Sequence, residues 1–356
     1  MPKKNIKREI KYSEAIREAL YFSMKKNKSV ILLALGADDP KGIFGTTKNL
    51  INKFGNKRVF DMPTAENSMT GIAIGCSLGD LRPVVTHQRV EFSLLSIDQI
   101  INQAAKWSYM SAGKMKVPIV IRMIIGRGWG QGPQHSQSLE SLFSNIPGLK
   151  VVCPSTPFDA KGMLISSIED NNPVIFFEHR WLHGYFGKVP HNYYKVPIGK
   201  SKIIHRGNDI TIVSSSYMSI ESLKTAKILK SFNVNAEVID LRSLRPLDVN
   251  PILNSVKKTK NLLVVDNGWM KYGISSEIIA SIVDNIKNLS KITIKRIGIS
   301  DNPIPSTRSL AKHCYQDIYS ILKAVLKMKN IKYSNLNAYK IYSATDVPDK
   351  DFTGPF

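Results

Sequence analysis

The chain has 356 residues, 43% of them hydrophobic and 22% charged, with 50 Lys and Arg against 28 Asp and Glu. That balance excludes a disordered polymer, and the length is comfortable for two domains of ordinary size. The net charge of +22 admits an anionic partner, but its runs (KKNK at 25–28, KKTK at 257–260, KMKNIK at 327–332) are scattered and carry no zinc-finger or ribonucleoprotein spacing. They read as a Lys-rich surface or an edge facing an acidic partner subunit. No apolar run approaches the roughly 20 residues of a membrane-spanning helix, and the opening MPKKNIKREIKYSE has no hydrophobic signal region. Three widely spaced cysteines, Cys76, Cys153 and Cys314, suit neither a disulfide framework nor a Cys-based metal site, and point to a reducing cytoplasm.

In chain order, short apolar runs alternate with helical patterns. VILLAL (30–35), RPVVTH (82–87), VPIVIRMI (117–124), LKVVCP (149–154) and PVIFFE (173–178) read as strands. Helices are expected over 66–79, 97–112, 136–145 and 157–170. Continuous apolar strands separated by helices predict a parallel sheet covered on both faces. A Gly-, Pro- and Tyr-rich stretch near 184–207 reads as an interdomain connection. Alternation resumes with DITIVSS (209–215), a helix near 217–232, NAEVIDL (235–241), NLLVVD (261–266), a helix near 273–286 and ITIKRI (292–297). The expected organisation is an α/β domain over 1–190, a smaller α/β domain over 200–330, and an extended tail over 331–356. No internal repeat is present.

Three features carry chemistry. Glu66 opens a helix otherwise built of small and apolar residues (ENSMTGIAIG), where an acid commonly offsets the partial positive charge of free amides. GRGWGQG (126–132) follows a strand, yet no frame of it gives G-x-G-x-x-G, so a nicotinamide-type fingerprint fails. That loop leads to His135, beside the edge where open parallel sheets bind ligands. Glycines at 71, 75 and 79 share one helix face, which allows close packing either within the domain or across a subunit interface.

PTAENSMTGIAIG, EFSLLSIDQIINQAAKW (91–107), GPQHSQ (132–137), PGLKVVCPSTPFDAKG (147–162), DNNPVIFFE (170–178), EVIDLRSLRPLD (237–248) and LLVVDNGW (262–269) resemble the beta subunit of thiamin-diphosphate-dependent 2-oxoacid dehydrogenases of the pyruvate and branched-chain type. The matches run in the family's order over roughly residues 10 to 325. The resemblance implies a pyrimidine-binding parallel-sheet domain followed by a transketolase C-terminal-type domain. It implies that Glu66 touches N1′ of the cofactor's aminopyrimidine, that Phe92 stacks on that ring, and that His135 lies near the reactive thiazolium carbon. Asp98, Asn102 and Lys106 also match, as architecture.

The chain contains no G-D-G, the start of the motif that holds the cofactor's diphosphate through Mg²⁺ in such enzymes. The resemblance therefore implies that an alpha-type subunit carries the Mg²⁺ and diphosphate, in an α₂β₂ heterotetramer. No metal site of the chain's own is expected. The sequence departs from the dehydrogenase pattern at THQRVEF, with His87 and Arg89, and at RGWGQGP and FEHRWLHG, with Arg127, His179, Arg180 and His183. So many donors suit a polyhydroxylated or anionic small molecule. The expected function is cleavage of a 2-oxoacid or ketose and transfer of the acyl or two-carbon unit. The first alternative is a split transketolase-like carboligase acting on sugars. An alternative of another class is a basic nucleic-acid-binding or scaffold protein without cofactor.

Overall fold

The computed structural model describes residues 8–127, 130–339, Val347, Phe352 and Gly354. The tail expected over 331–356 lies largely outside the described residues. Two compact units are present. Among described residues, one comprises 8–125, 142–198 and Gly354; the other comprises 126–127, 130–141, 199–339, Val347 and Phe352.

The first unit runs β1 (Glu9–Lys11), α1 (Tyr12–Lys26), β2 (Val30–Ala34), α2 (Leu50–Phe54), β3 (Val59–Asp61), α3 (Glu66–Leu78), β4 (Arg82–His87), α4 (Trp107–Met110) and β5 (Val120–Ile125). After α5 (Glu140–Ser144), whose first two residues belong to the second unit, come β6 (Lys150–Val152), α6 (Pro157–Glu169), β7 (Val174–His179) and β8 (Phe186–Lys188). Within this unit the strands lie in the order β6-β7-β5-β4-β2-β3, all parallel. Every residue of β2, β5 and β7 is buried, the condition that continuous apolar strands satisfy. Helix α1 buries Tyr12, Ala15, Ile16, Ala19, Leu20 and Met24, a three-and-four spacing that makes one apolar stripe, and packs on α6. Helix α6 starts sharply: Pro157 takes its first turn and the Thr156 hydroxyl accepts from the Asp159 amide at 3.1 Å.

The second unit contains β9 (Lys202–His205), β10 (Ile210–Ser214), α7 (Ser216–Leu229), β11 (Ala236–Asp240), β12 (Ser243–Arg245), α8 (Asn250–Thr259), β13 (Asn261–Trp269), α9 (Ile274–Asn285), β14 (Thr293–Ile299), α10 (Arg308–Ala311) and α11 (Ile318–Met328). Its sheet has the order β14-β13-β10-β11-β9, parallel except where β9 runs against β11.

The stretch 184–207 contains the division between the two units, at 198–199, together with β8 and β9, the former pairing antiparallel with β1. Two expected helices differ from the outcome, and that over 136–145 is shortened to α5. The helix expected over 97–112 is broken into a π-helical turn (Gln99–Ala104) and the short α4, and a 3₁₀ turn (Phe92–Ser96) comes just before it. Ser93 and Ser96 donate their hydroxyls to the carbonyls of Val90 and Ser93, at 2.6 and 2.9 Å, and so support the tight turns.

Candidate functional site

In the first unit the candidate residues follow the C-terminal ends of parallel strands, where this kind of sheet leaves loops and helix starts open to a ligand. Glu66 is the first residue of α3 and is half-buried. No side chain caps this helix, so the free amides of its first turn favour a negative charge there. Phe92, also half-buried, begins the 3₁₀ turn that packs against α3. The glycine stripe of α3 is only partly explained inside the unit. A Cβ on Gly71 would touch Gln99, whereas one on Gly75 would meet nothing within 4 Å.

His87 ends β4 and is fully buried. Its Nε2 lies 3.2 Å from the Thr70 hydroxyl, one helical turn beyond Glu66, and its Nδ1 has no partner among the described residues. Burial holds this imidazole down at about 4, so it is neutral at physiological pH. His179 ends β7, and its Nδ1 accepts from the Trp181 amide at 3.2 Å. Next comes Arg180, whose guanidinium lies 4.9 Å from the Phe44 ring centre. Burial first, and the charge of Arg89 second, push Arg180 down to about 10. Arg89 is itself buried, with its Nε 3.8 Å from Glu91. His183 stacks on Phe44, ring centres 5.4 Å apart, which places Phe44 in contact with both an imidazole and a guanidinium. Phe44 also lines a cleft of about 390 Å³ with Gly36, Asp39, Lys41, Gly42, Ile43, Gly45 and Gln88.

Behind this edge lies an ion-pair cluster that the motifs did not reveal. Arg122 donates to Glu178 through Nε at 2.5 Å and Nη2 at 3.0 Å, and to the Thr86 hydroxyl at 3.2 Å. His183 Nε2 and Glu178 Oε2 are 3.0 Å apart. Burial alone would raise the Glu178 carboxyl; Arg122 and His183 more than offset it and hold it at about 2. The readable signal was a charge inside each of two apolar strands, VIRMII and VIFFEH, because a buried charge requires a partner.

Arg127 and His135 belong to the second unit. The Arg127 guanidinium lies 3.7 Å from the centre of the Tyr315 ring. None of the three cysteines forms a disulfide. Among the described residues, no cluster of His, Cys, Asp or Glu is placed to hold a metal, and no helix is long and apolar enough to cross a membrane. The groups at the α3 edge, a carboxylate at the helix start and an aromatic residue on the turn packed against that helix, fit an aminopyrimidine better than a diphosphate.

Comparison with known proteins places the whole chain in a family. Residues 8–184 match the family model "Transketolase, pyrimidine binding domain", and residues 199–317 match "Transketolase, C-terminal domain". Acetoin:2,6-dichlorophenolindophenol oxidoreductase subunit beta of Cupriavidus necator is 39% identical over 88% of this chain and 94% of its own length. Pyruvate dehydrogenase E1 component subunit beta of Rickettsia bellii is 37% identical over 91% of this chain and 100% of its own. A solved structure titled "Split gene transketolase, inactive beta4 tetramer" superposes with a TM-score of 0.73 at 22% identity, covering 91% of this chain and 99% of that one, and so shares the fold. With both domains matched in order and relatives similar over nearly their whole length, the chain belongs to the beta-subunit family of thiamin-diphosphate-dependent 2-oxoacid dehydrogenases, decarboxylating enzyme components with transketolase-type domains.

Proposed function

We propose that this chain is the pyrimidine-binding half of a two-chain α₂β₂ enzyme of the cytoplasm, whose alpha-type partner holds Mg²⁺ and the diphosphate. The observation that carries the reading is Glu66 at the uncapped start of α3, with Phe92 on the turn packed against that helix. When bound, thiamin diphosphate would supply a nucleophilic carbon and an electron sink for cleavage beside a carbonyl. The chain's own residues do the rest. Glu66 shares a proton with N1′ of the aminopyrimidine. Phe92 stacks on the same ring and fixes its plane. His135 moves protons at the substrate. His87, neutral and tied to Thr70, offers the substrate one ring nitrogen as donor or acceptor. Arg89, Arg127, His179, Arg180 and His183 are the groups assigned to an anionic or hydroxylated substrate.

Glu66→Gln in the complex reconstituted with its partner tests the reading. The amide keeps the shape but cannot share an ionisable proton. The expected result is a folded, assembled complex whose cofactor C2–H exchange, followed by NMR in D₂O, is slowed by at least about 10²-fold. Exchange at the wild-type rate sinks the assignment. Isothermal titration of the lone chain tests the partnership, because without diphosphate contacts it should bind the cofactor only weakly. A second reading, a carboligase acting on sugars, draws on the buried Arg89–Arg180 pair and its imidazole neighbours. Transfer to a hydroxylated aldehyde in preference to a lipoylated domain would select it.

A further inference from the structure

Segment 126–141 follows β5, a strand of the first unit, in the chain, yet its described residues belong to the second unit. Its described residues are fastened at several points. Arg127 lies over Tyr315, and the Tyr315 hydroxyl donates to the Ser136 carbonyl at 3.4 Å. Gly132 has φ +64°, and a Cβ there would collide with the Ser306 hydroxyl. Gly268, near the end of β13, leaves room for the Ser138 carbonyl, which would be 2.9 Å from a Cβ at that position.

At the end of this segment sits Glu140, which is 4% exposed. Its Oε1 is buried without a hydrogen-bond partner, and no cation pairs with it among the described residues. The charged group acting on it is another acid, Asp266 of β13. Asp266 accepts from the amides of Gly268 at 3.3 Å and Ser275 at 2.9 Å, and it feels Arg296 of β14. An ionised Glu140 in this place would be a buried charge beside a like charge, which costs far more than the neutral acid.

We propose that Glu140 and Tyr315 are positioning residues for His135: Tyr315 grips the segment through Arg127 and Ser136, and a protonated Glu140 seals its end, so that the segment loosens when that proton is lost. The catalytic consequence rests on the reading of His135 given above.

The pH dependence follows from linkage. Burial, with Asp266 adding to it, pushes Glu140 up to about 8 in the docked segment, against an ordinary value of 4.5. A group whose docked form holds its proton more tightly favours docking fully below pH 4.5. That advantage then falls steadily as pH rises, and levels off above about 8.

Amide hydrogen exchange of residues 130–141 in the full chain, corrected for intrinsic exchange rates, tests the proposal without any cofactor. In the wild type, protection is expected to fall by at least about 10-fold between pH 6 and pH 8. Glu140→Gln, which has the shape of the protonated acid, should hold protection flat across that range. Glu140→Leu should do the same and serves if the amide variant folds poorly. Tyr315→Leu should raise exchange of the segment at every pH, and Tyr315→Phe should raise it less. Equal wild-type protection at both pH values overturns the proposal, as does an unchanged slope in both Glu140 variants. In the reconstituted enzyme, Glu140→Gln should also lift the alkaline decline of kcat while leaving KM unchanged. Altered exchange with an unaltered kcat profile overturns the positioning role, and leaves the Glu66 assignment to stand or fall on C2–H exchange.

Discussion

Glu178 and Glu140 are both buried carboxyls, one in each unit, and their surroundings drive them in opposite directions. Glu178 sits between strands with two donors of Arg122 on it and His183 beside it, and is held at about 2. Glu140 has an unpartnered oxygen and an acid for a neighbour, and is pushed up to about 8. Burial acts on both in the same sense, raising them. The partner decides the sign. One residue is therefore a fixed charge that ties β5 to β7, and the other is an uncharged plug whose state depends on pH.

The comparison breaks most visibly if the fixed charge loses its partner. Arg122→Ala leaves Glu178 buried and uncompensated, and should destabilise the chain by about 3–5 kcal/mol in urea unfolding. Replacing both partners by methionine should recover most of that loss, because a well-packed apolar pair in place of a buried ion pair is often neutral. A loss below about 1 kcal/mol in Arg122→Ala would mean that the pair contributes little to this sheet.

Next in size is the contrast in pH dependence. Glu178 has a depressed value, so its contribution is fully present above pH 4.5 and is lost as pH falls toward about 2. Glu140 has a raised value, so the folded state is favoured below pH 4.5 and loses that advantage as pH climbs to about 8. Glu140→Gln should therefore raise unfolding free energy at pH 8 by on the order of 1–4 kcal/mol, and change it little at pH 4.5. Urea titrations at the two pH values distinguish this from a uniform packing effect. A gain of equal size at both would leave the carboxyl's ionisation out of the account.

These two residues also mark how far the sequence could be read. The parallel strands were legible because VILLA, RPVVTH and VIFFEH are apolar on both faces, and a strand buried on both sides can be little else. Glu66 and Phe92 stood out because their segments carry a family's spacing, which also placed the chain in its family. Arg122 was visible as a charge in an apolar run, but its partner lies 56 residues away, and only the sheet order brings them together. Glu140 gave no signal. An acid three residues into QSLESLF looks like an ordinary first-turn acid until tertiary packing buries it. The attachment of 126–141 to the second unit is likewise a matter of long-range contacts, which no local pattern encodes. The breaking of 97–112 was hidden because its apolar spacing suits an α-helix, while Ser93 and Ser96 support tighter turns just before it.

His87 sharpens the comparison from the side of a base. Burial depresses it to about 4, so the neutral ring is favoured in the fold, and stability is lost as pH falls from 6.5 through that value. Its ring bonds to Thr70, and Thr70→Val should cost about 0.5–1.5 kcal/mol at neutral pH, measured by urea unfolding. His87→Phe should abolish the share of the acid loss that this ring contributes between pH 6.5 and 4. An unchanged acid limb in that variant would show that the ring does not titrate with unfolding.

The smallest effect belongs to a pair with the same chemistry as Arg122–Glu178 and none of its burial. Lys271 Nζ and Asp301 Oδ2 are 2.6 Å apart, a shorter contact than one of the two made to Glu178, yet their side chains are 58% and 63% exposed. Water already solvates both charges in the unfolded chain and continues to do so here. Holding two flexible side chains together also costs entropy. Lys271→Ala should therefore change stability by less than about 1 kcal/mol, and salt should shrink even that. A loss as large as that of Arg122→Ala would contradict the premise that desolvation, rather than distance, separates the strong pair from the weak one.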